Sequence, residues 1–190
     1  MYMSNTQKNK YLTIPNILSI FRIVLIPVCV WFYWLENKPI ATAAILLLSW
    51  LTDMIDGFIA RRFNMVSDLG KILDPVADKL TQATMLFCLV FTFPETLYLL
   101  VFMIIKEITM AVTGYLVIKK TKTVYGADWH GKIATGALYT ILFIHILWIN
   151  IPSSLSITLI LICGGLMLLS LVLYITLNFN MLKQQSKEDF

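Results

Sequence analysis

Four aspartates, Asp53, Asp56, Asp74 and Asp78, are the residues of this 190-residue chain best suited by type and spacing to do chemistry. Asp53 and Asp56 stand at i, i+3, and Asp74 and Asp78 at i, i+4, so on helices each pair shares one face. A short connection between two such helices makes them antiparallel neighbours and lets the four carboxylates converge. Like charges brought that close repel strongly in a low dielectric unless cations neutralise them. Oxygen-only ligands on helices suit hard divalent ions, Mg2+ or Mn2+, rather than zinc. Two such ions about 3.5–4 Å apart would clamp a diphosphate and stabilise the charge that develops on it during a displacement.

The residues between the aspartates fit the same chemistry. Gly57 removes a side chain directly after Asp56, and Ala60 lies one turn on. Arg61 offers a planar fork of donors matched to phosphate oxygens. Gly70, four residues before Asp74, admits a flat base or relaxes the chain. Ion pairing with Arg61, Arg62, Lys71 and Lys79 would by itself account for one or two of the carboxylates. It leaves unexplained four carboxylates at helical spacing, with small residues interleaved, in a setting where ionisable groups are functional by default.

The elements that must hold these groups are membrane helices. Apolar residues make up 58% of the chain and charged residues 14%, against about 45–50% and about 25% in ordinary globular chains. Such a chain cannot cover its surface with polar groups, so lipid is part of its solvent. Six apolar stretches approach the ~20 residues that span a bilayer: Ile17–Leu35, Ile40–Ala60, Leu73–Phe93, Leu97–Ile118, Ile133–Ile149 and Leu155–Leu177. Pro39, Pro94 and Pro152 mark the short turns between them. The expected fold is an all-α integral membrane protein with six transmembrane helices, forming a single domain over residues 1–190. Residues 1–10 read as a flexible tail, Tyr11 to Ile20 as a short interfacial segment, and residues 178–190 as a cytoplasmic tail; no signal peptide is evident.

Basic residues set the expected orientation. Lys8, Lys10 and Arg22 flank the first span, Arg61, Arg62, Lys71 and Lys79 the second connection, and Lys106, Lys119, Lys120, Lys122 and Lys132 the fourth; only Lys38 lies on the other side. Both termini and the aspartates are then cytoplasmic. The three cysteines, Cys29, Cys88 and Cys163, lie in apolar runs with no metal-binding spacing and read as small buried hydrophobes. His145 reads as a helix-packing residue and His130 as part of a polar loop.

The pattern D-x-x-D-G-x-x-A-R-x(8)-G-x-x-x-D-x-x-x-D, filled by Asp53, Asp56, Gly57, Ala60, Arg61, Gly70, Asp74 and Asp78, resembles the signature of the CDP-alcohol phosphatidyltransferase family. The six-span layout is similar to that family along nearly the whole chain. The resemblance implies an enzyme in which Asp53, Asp56, Asp74 and Asp78 hold two divalent cations and Asp78 also takes the proton of the acceptor hydroxyl. It implies that Gly57, Ala60, Arg61 and Gly70 border the CDP part of a CDP-diacylglycerol donor, that CMP is released, and that the protein is a homodimer.

The acceptor is the less determined half. Ile14 to Arg22, with Pro27 after it, and Gly70 to Lys79 are similar to the phosphatidylglycerophosphate synthase branch, whose acceptor is glycerol 3-phosphate. A phosphate dianion requires cationic ligands, and Lys106, Lys132 and Arg22 are the candidates. Lys106-Glu107 stands where that branch usually has Arg-Glu, and Gly131-Lys132-Ile133-Ala134-Thr135 is also similar to cardiolipin synthases of the same type, which use phosphatidylglycerol. A divalent-cation transporter is the alternative of another class. The placement of the carboxylates at the cytoplasmic ends of spans, rather than at a break near the midplane, argues against it.

Overall fold

The computed structural model describes residues 13–62, 70–121 and 129–188, and all their regular structure is helical. The helices are α1 (Ile14–Trp34), α2 (Pro39–Arg62), α3 (Gly70–Val90), α4 (Thr96–Thr121), α5 (Trp129–Leu147) and α6 (Ser153–Glu188). Among the described residues, four runs are long and apolar enough to cross a membrane: Pro15–Trp34, Thr96–Lys120, Trp129–Leu147 and Ser153–Lys183. α2 contributes a shorter apolar run, Pro39–Asp53. α3, with Lys71, Asp74, Asp78 and Lys79 among its first ten residues, is the helix whose composition departs furthest from an apolar span. Charges placed for chemistry subtract directly from hydropathy.

Three boundaries differ from expectation. The segment read as a separate interfacial element is continuous with the first helix from Ile14 on, because Pro15 sits in the first turn, where its missing N–H costs nothing. His130 belongs to the first turn of α5 rather than to a loop, and is buried. Residues 178–188, read as tail, continue α6; Met181, Leu182, Lys183 and Gln184 are all good helix formers. The expected tail at residues 1–10 lies outside the described residues.

The chain divides into two compact units, Met1–Cys88 and Leu89–Phe190. In the first, α1 packs along α2. The buried face of α1 runs through Asn16, Ser19, Arg22 and Cys29, and that of α2 through Thr42, Leu46, Ser49 and Thr52, both at the three- and four-residue spacing of one helix face. Asp53 continues the α2 face. On α3, Ala77, Thr81, Gln82 and Met85 turn inward. The α1–α2 connection turns at Asn37, whose φ of 48° is left-handed, a conformation asparagine tolerates better than most residues. Lys38 in this turn pairs with Glu36 at 2.8 Å and holds that carboxyl below its usual range. The lysine of this turn is thus neutralised locally.

In the second unit, α6 packs against both α4 and α5. Leu99, Met103 and Lys106 of α4, Ala134, Leu138 and Leu142 of α5, and Ile160, Cys163 and Met167 of α6 are buried. Outward faces are apolar as well: Ile17, Val24 and Trp31 on α1, Ile108 and Val112 on α4, and Leu161 and Leu168 on α6 are each more than half exposed. Apolar stripes of that extent suit contact with hydrocarbon rather than water.

Candidate active site

The first unit draws two of its aspartates to one arginine. Asn16, Ser19 and Arg22 follow one another at three-residue spacing, so the first turns of an otherwise apolar helix carry a polar stripe. Arg22 is 1% exposed. Its Nη1 donates to Oδ1 of Asp53 on α2, and its Nη2 lies 3.4 Å from Oδ1 of Asp74 on α3. Ser19 hydrogen-bonds the same Asp74 oxygen, and its Oγ stands 2.9 Å from the carbonyl oxygen of Pro15. Thus α1 brings Asp53 and Asp74 to a common centre, although they are distant in sequence. The planar guanidinium, with donors on both sides of its fork, is the side chain able to hold two carboxylates at once.

One guanidinium against two carboxylates leaves this trio with one negative charge in excess. The Asp53 and Asp74 side chains remain 38% and 32% exposed, so their free oxygens are open to a ligand. An all-oxygen, net-negative donor set of this kind fits hard divalent cations. Among the described residues, no group of three or more His, Cys, Asp or Glu stands together as a metal site. Asp56, Gly57, Ala60 and Arg61 lie on the last turns of α2, and their side chains are outside the described residues. Gly70 is the buried first residue of α3.

Asp78 lies one turn beyond Asp74 on α3. Gln82 Nε2 stands 3.0 and 2.9 Å from its two oxygens, and Lys79 Nζ lies 3.6 Å from Oδ2. Of the three cations expected to meet an acceptor, Arg22 is engaged by Asp53 and Asp74. Lys106, in the second unit, is 4% exposed with its Nζ 3.1 Å from Glu107 Oε1, and Lys132 is exposed on α5. Ser19 and Gln82 are contributors that motif reading did not single out. The signal available for both was a polar residue on the buried face of an apolar helix.

The second unit holds a different polar group. His145, fully buried, places Nδ1 2.9 Å from the Ile141 carbonyl oxygen and Nε2 3.0 Å from Ser156 Oγ. Ser156 donates to Glu95 Oε1 at 2.7 Å, and Phe93 meets the imidazole edge-on with centroids 4.9 Å apart. His145 is the packing residue it was expected to be. His130 Nδ1 lies 3.3 Å from Ser170 Oγ, and the three cysteines are free and buried.

Comparison with known proteins identifies the family. Residues 12–179 match the family model described as CDP-alcohol phosphatidyltransferase. Three relatives carry the name CDP-diacylglycerol–glycerol-3-phosphate 3-phosphatidyltransferase. That of Aquifex aeolicus is 36% identical over 114 residues, covering 59% of this chain and 64% of the relative. That of Rickettsia bellii is 46% identical over 70 residues, 35% of this chain and 38% of the relative. That of Escherichia coli K12 is 44% identical over 72 residues, 37% and 40% respectively. The chain spans less than two thirds of the length of each. With a match over most of its length and four helices able to cross a bilayer, the chain is an integral membrane protein that belongs to the CDP-alcohol phosphatidyltransferase family.

Proposed function

We propose that the protein transfers a phosphatidyl group from CDP-diacylglycerol to glycerol 3-phosphate, releasing CMP. The observation that carries this reading is the convergence of Asp53 and Asp74 on Arg22 within the family's eight-residue pattern. The acceptor is supported by the relatives' shared name, and neither cardiolipin synthesis nor cation transport draws comparable support. Asp53, Asp56, Asp74 and Asp78 would hold two divalent cations, Mg2+ or Mn2+. Bound there, such ions supply neutralising charge to the diphosphate of the donor.

The chain's own residues do the rest. Arg22 fixes the carboxylates of α2 and α3 in one arrangement, so that little reorganisation is needed when substrate enters. Gly57, Ala60, Arg61 and Gly70 border the CDP moiety, and Lys106 and Lys132 hold the acceptor's phosphate. Asp78 takes the proton from the acceptor hydroxyl as its oxygen bonds to the lipid-bearing phosphorus and the bond to CMP breaks. All six helices cross the membrane in this reading, with both termini and the site at the cytoplasmic face of a bacterial cytoplasmic membrane, and the protein works as a homodimer.

The test is CMP release by purified protein from CDP-diacylglycerol with glycerol 3-phosphate or phosphatidylglycerol as acceptor. Glycerol 3-phosphate is expected to support turnover, excess chelator to abolish it, and Mg2+ or Mn2+ to restore it. Lys106→Ala is expected to raise the acceptor KM by about 10-fold or more, the cost of a lost charge-assisted bond, with a smaller effect on the donor. Turnover with phosphatidylglycerol alone would replace the acceptor, and full activity in chelator would remove the cations.

A further inference from the structure

We propose that Gln82 is a positioning residue for Asp78, fixing the direction in which that carboxylate meets the acceptor hydroxyl. The inference rests on the assignment of Asp78 as the proton acceptor and goes beyond the family's eight-residue pattern, which ends at Asp78. Gln82 is 0% exposed, on the buried face of α3. Its Nε2 stands 3.0 Å from Oδ1 and 2.9 Å from Oδ2 of Asp78, nearly equidistant. A donor shared in this way is held by both oxygens at once, so a turn of the carboxylate that lengthens either distance weakens that contact. Gln82 lies one turn further along α3 than Asp78, as Asp78 lies one turn beyond Asp74, so all three fall on one face of the helix.

The energetics argue against packing alone. Gln82 Oε1 is buried with no hydrogen-bond partner among the described residues, and such an orphan acceptor is unfavourable. Leucine or methionine would fill the same volume on an apolar helix without that cost. The amide is worth keeping for its N–H groups, and these are directed at Asp78.

The experiment is a double-mutant cycle on the full-length enzyme in detergent, reading CMP release at saturating cations. Gln82→Met, which keeps the volume and removes the donor, is expected to lower kcat by about 10–100-fold, as loss of a supporting hydrogen bond to a functional carboxylate does. The KM for CDP-diacylglycerol should stay within about two-fold. In an Asp78→Asn background the same substitution is expected to change kcat by less than about two-fold, because its route of action is gone. Gln82→Asn, whose amide is one methylene short of both oxygens, should repeat the loss and serves if the methionine variant does not fold. Wild-type kcat in both Gln82 variants overturns the proposal and leaves Asp78 as the base. Equal losses from Gln82→Met with and without Asp78 also overturn it, since a general packing role would give that result. Wild-type turnover in Asp78→Asn removes both the base and the residue said to position it.

Discussion

Two polar clusters among the described residues, Arg22–Asp53–Asp74 in the first unit and Glu95–Ser156–His145 in the second, differ in how many carboxylates each gathers. In the second, the Ile141 carbonyl can only accept, so His145 Nδ1 must donate. Nε2 meets Ser156, which in turn donates to the single carboxylate of the group, Glu95. In the first cluster, one guanidinium faces two carboxylates that remain a third exposed, leaving both charge and acceptor capacity for something else. Both clusters include polar groups buried among helices, yet only the first gathers two carboxylates on one cation. Burial of polar residues therefore does not distinguish site from scaffold, whereas the number of carboxylates gathered on one cation does.

The comparison predicts its largest effect at Arg22. Arg22→Met leaves Asp53 and Asp74 without their shared partner. Breaking a fully buried pair costs about 3–5 kcal/mol, and the partial exposure of both aspartates places this case at the lower end or below. Turnover per folded molecule should fall by at least about 100-fold, beyond what lost stability explains, because the carboxylates no longer converge. Arg22→Lys keeps the charge but presents a point donor rather than a fork, and should recover stability better than turnover. Near-normal turnover in the folded Arg22→Met protein would break the comparison, because the arginine would then be scaffold.

A smaller effect, of the opposite kind, is expected in the second unit. His145→Ala and Ser156→Ala each leave a buried neighbour unpaired, worth about 1–3 kcal/mol. At about 2–4 °C per kcal/mol for a chain of this size, that is a readily measured drop in thermal midpoint. Turnover per folded molecule should be unchanged. Loss of turnover without loss of stability would move this cluster into the functional machinery.

The sequence exposed the aspartates and hid their organiser for a physical reason. Asp53, Asp56, Asp74 and Asp78 announce themselves by local helical spacing, which any amphipathic reading detects. Arg22 meets Asp53 and Asp74 across 31 and 52 residues of chain, a distance over which spacing carries no information. The available clue was subtler: Asn16, Ser19 and Arg22 draw a polar stripe along a helix whose other faces are apolar. Gln82 offered the same clue on α3. Helix count was legible because hydropathy is additive, and for the same reason α3, which carries Asp74 and Asp78, is the least apolar of the six helices. Ends were less legible. Pro15 starts α1 rather than preceding it, and α6 runs on to Glu188, because helix propensity continues past the point where apolar residues stop.

The smallest predicted effect tests whether the second unit is scaffold at its α4–α6 contact too. A Cβ added at Gly114 would meet the Tyr174 hydroxyl at 2.8 Å, and that hydroxyl reaches the Met110 carbonyl at 3.5 Å, a long and weak bond. Gly114→Ala gains helix propensity of about 1 kcal/mol. Against this, the tyrosine must shift and give up its bond, a loss of about 0.5–1 kcal/mol. The terms nearly cancel, so the single variant should sit within about 0.5 kcal/mol of wild type. Tyr174→Phe removes the obstructing atom, and in that background Gly114→Ala should stabilise by about 0.5–1 kcal/mol. The cycle is read as thermal midpoints, with turnover expected to be unchanged throughout. A double variant less stable than Tyr174→Phe alone would mean that the α4 backbone, not the hydroxyl, sets the limit at Gly114. A change in turnover would instead show that this contact serves the site, and the division between a functional cluster in the first unit and scaffold contacts in the second would have to be redrawn.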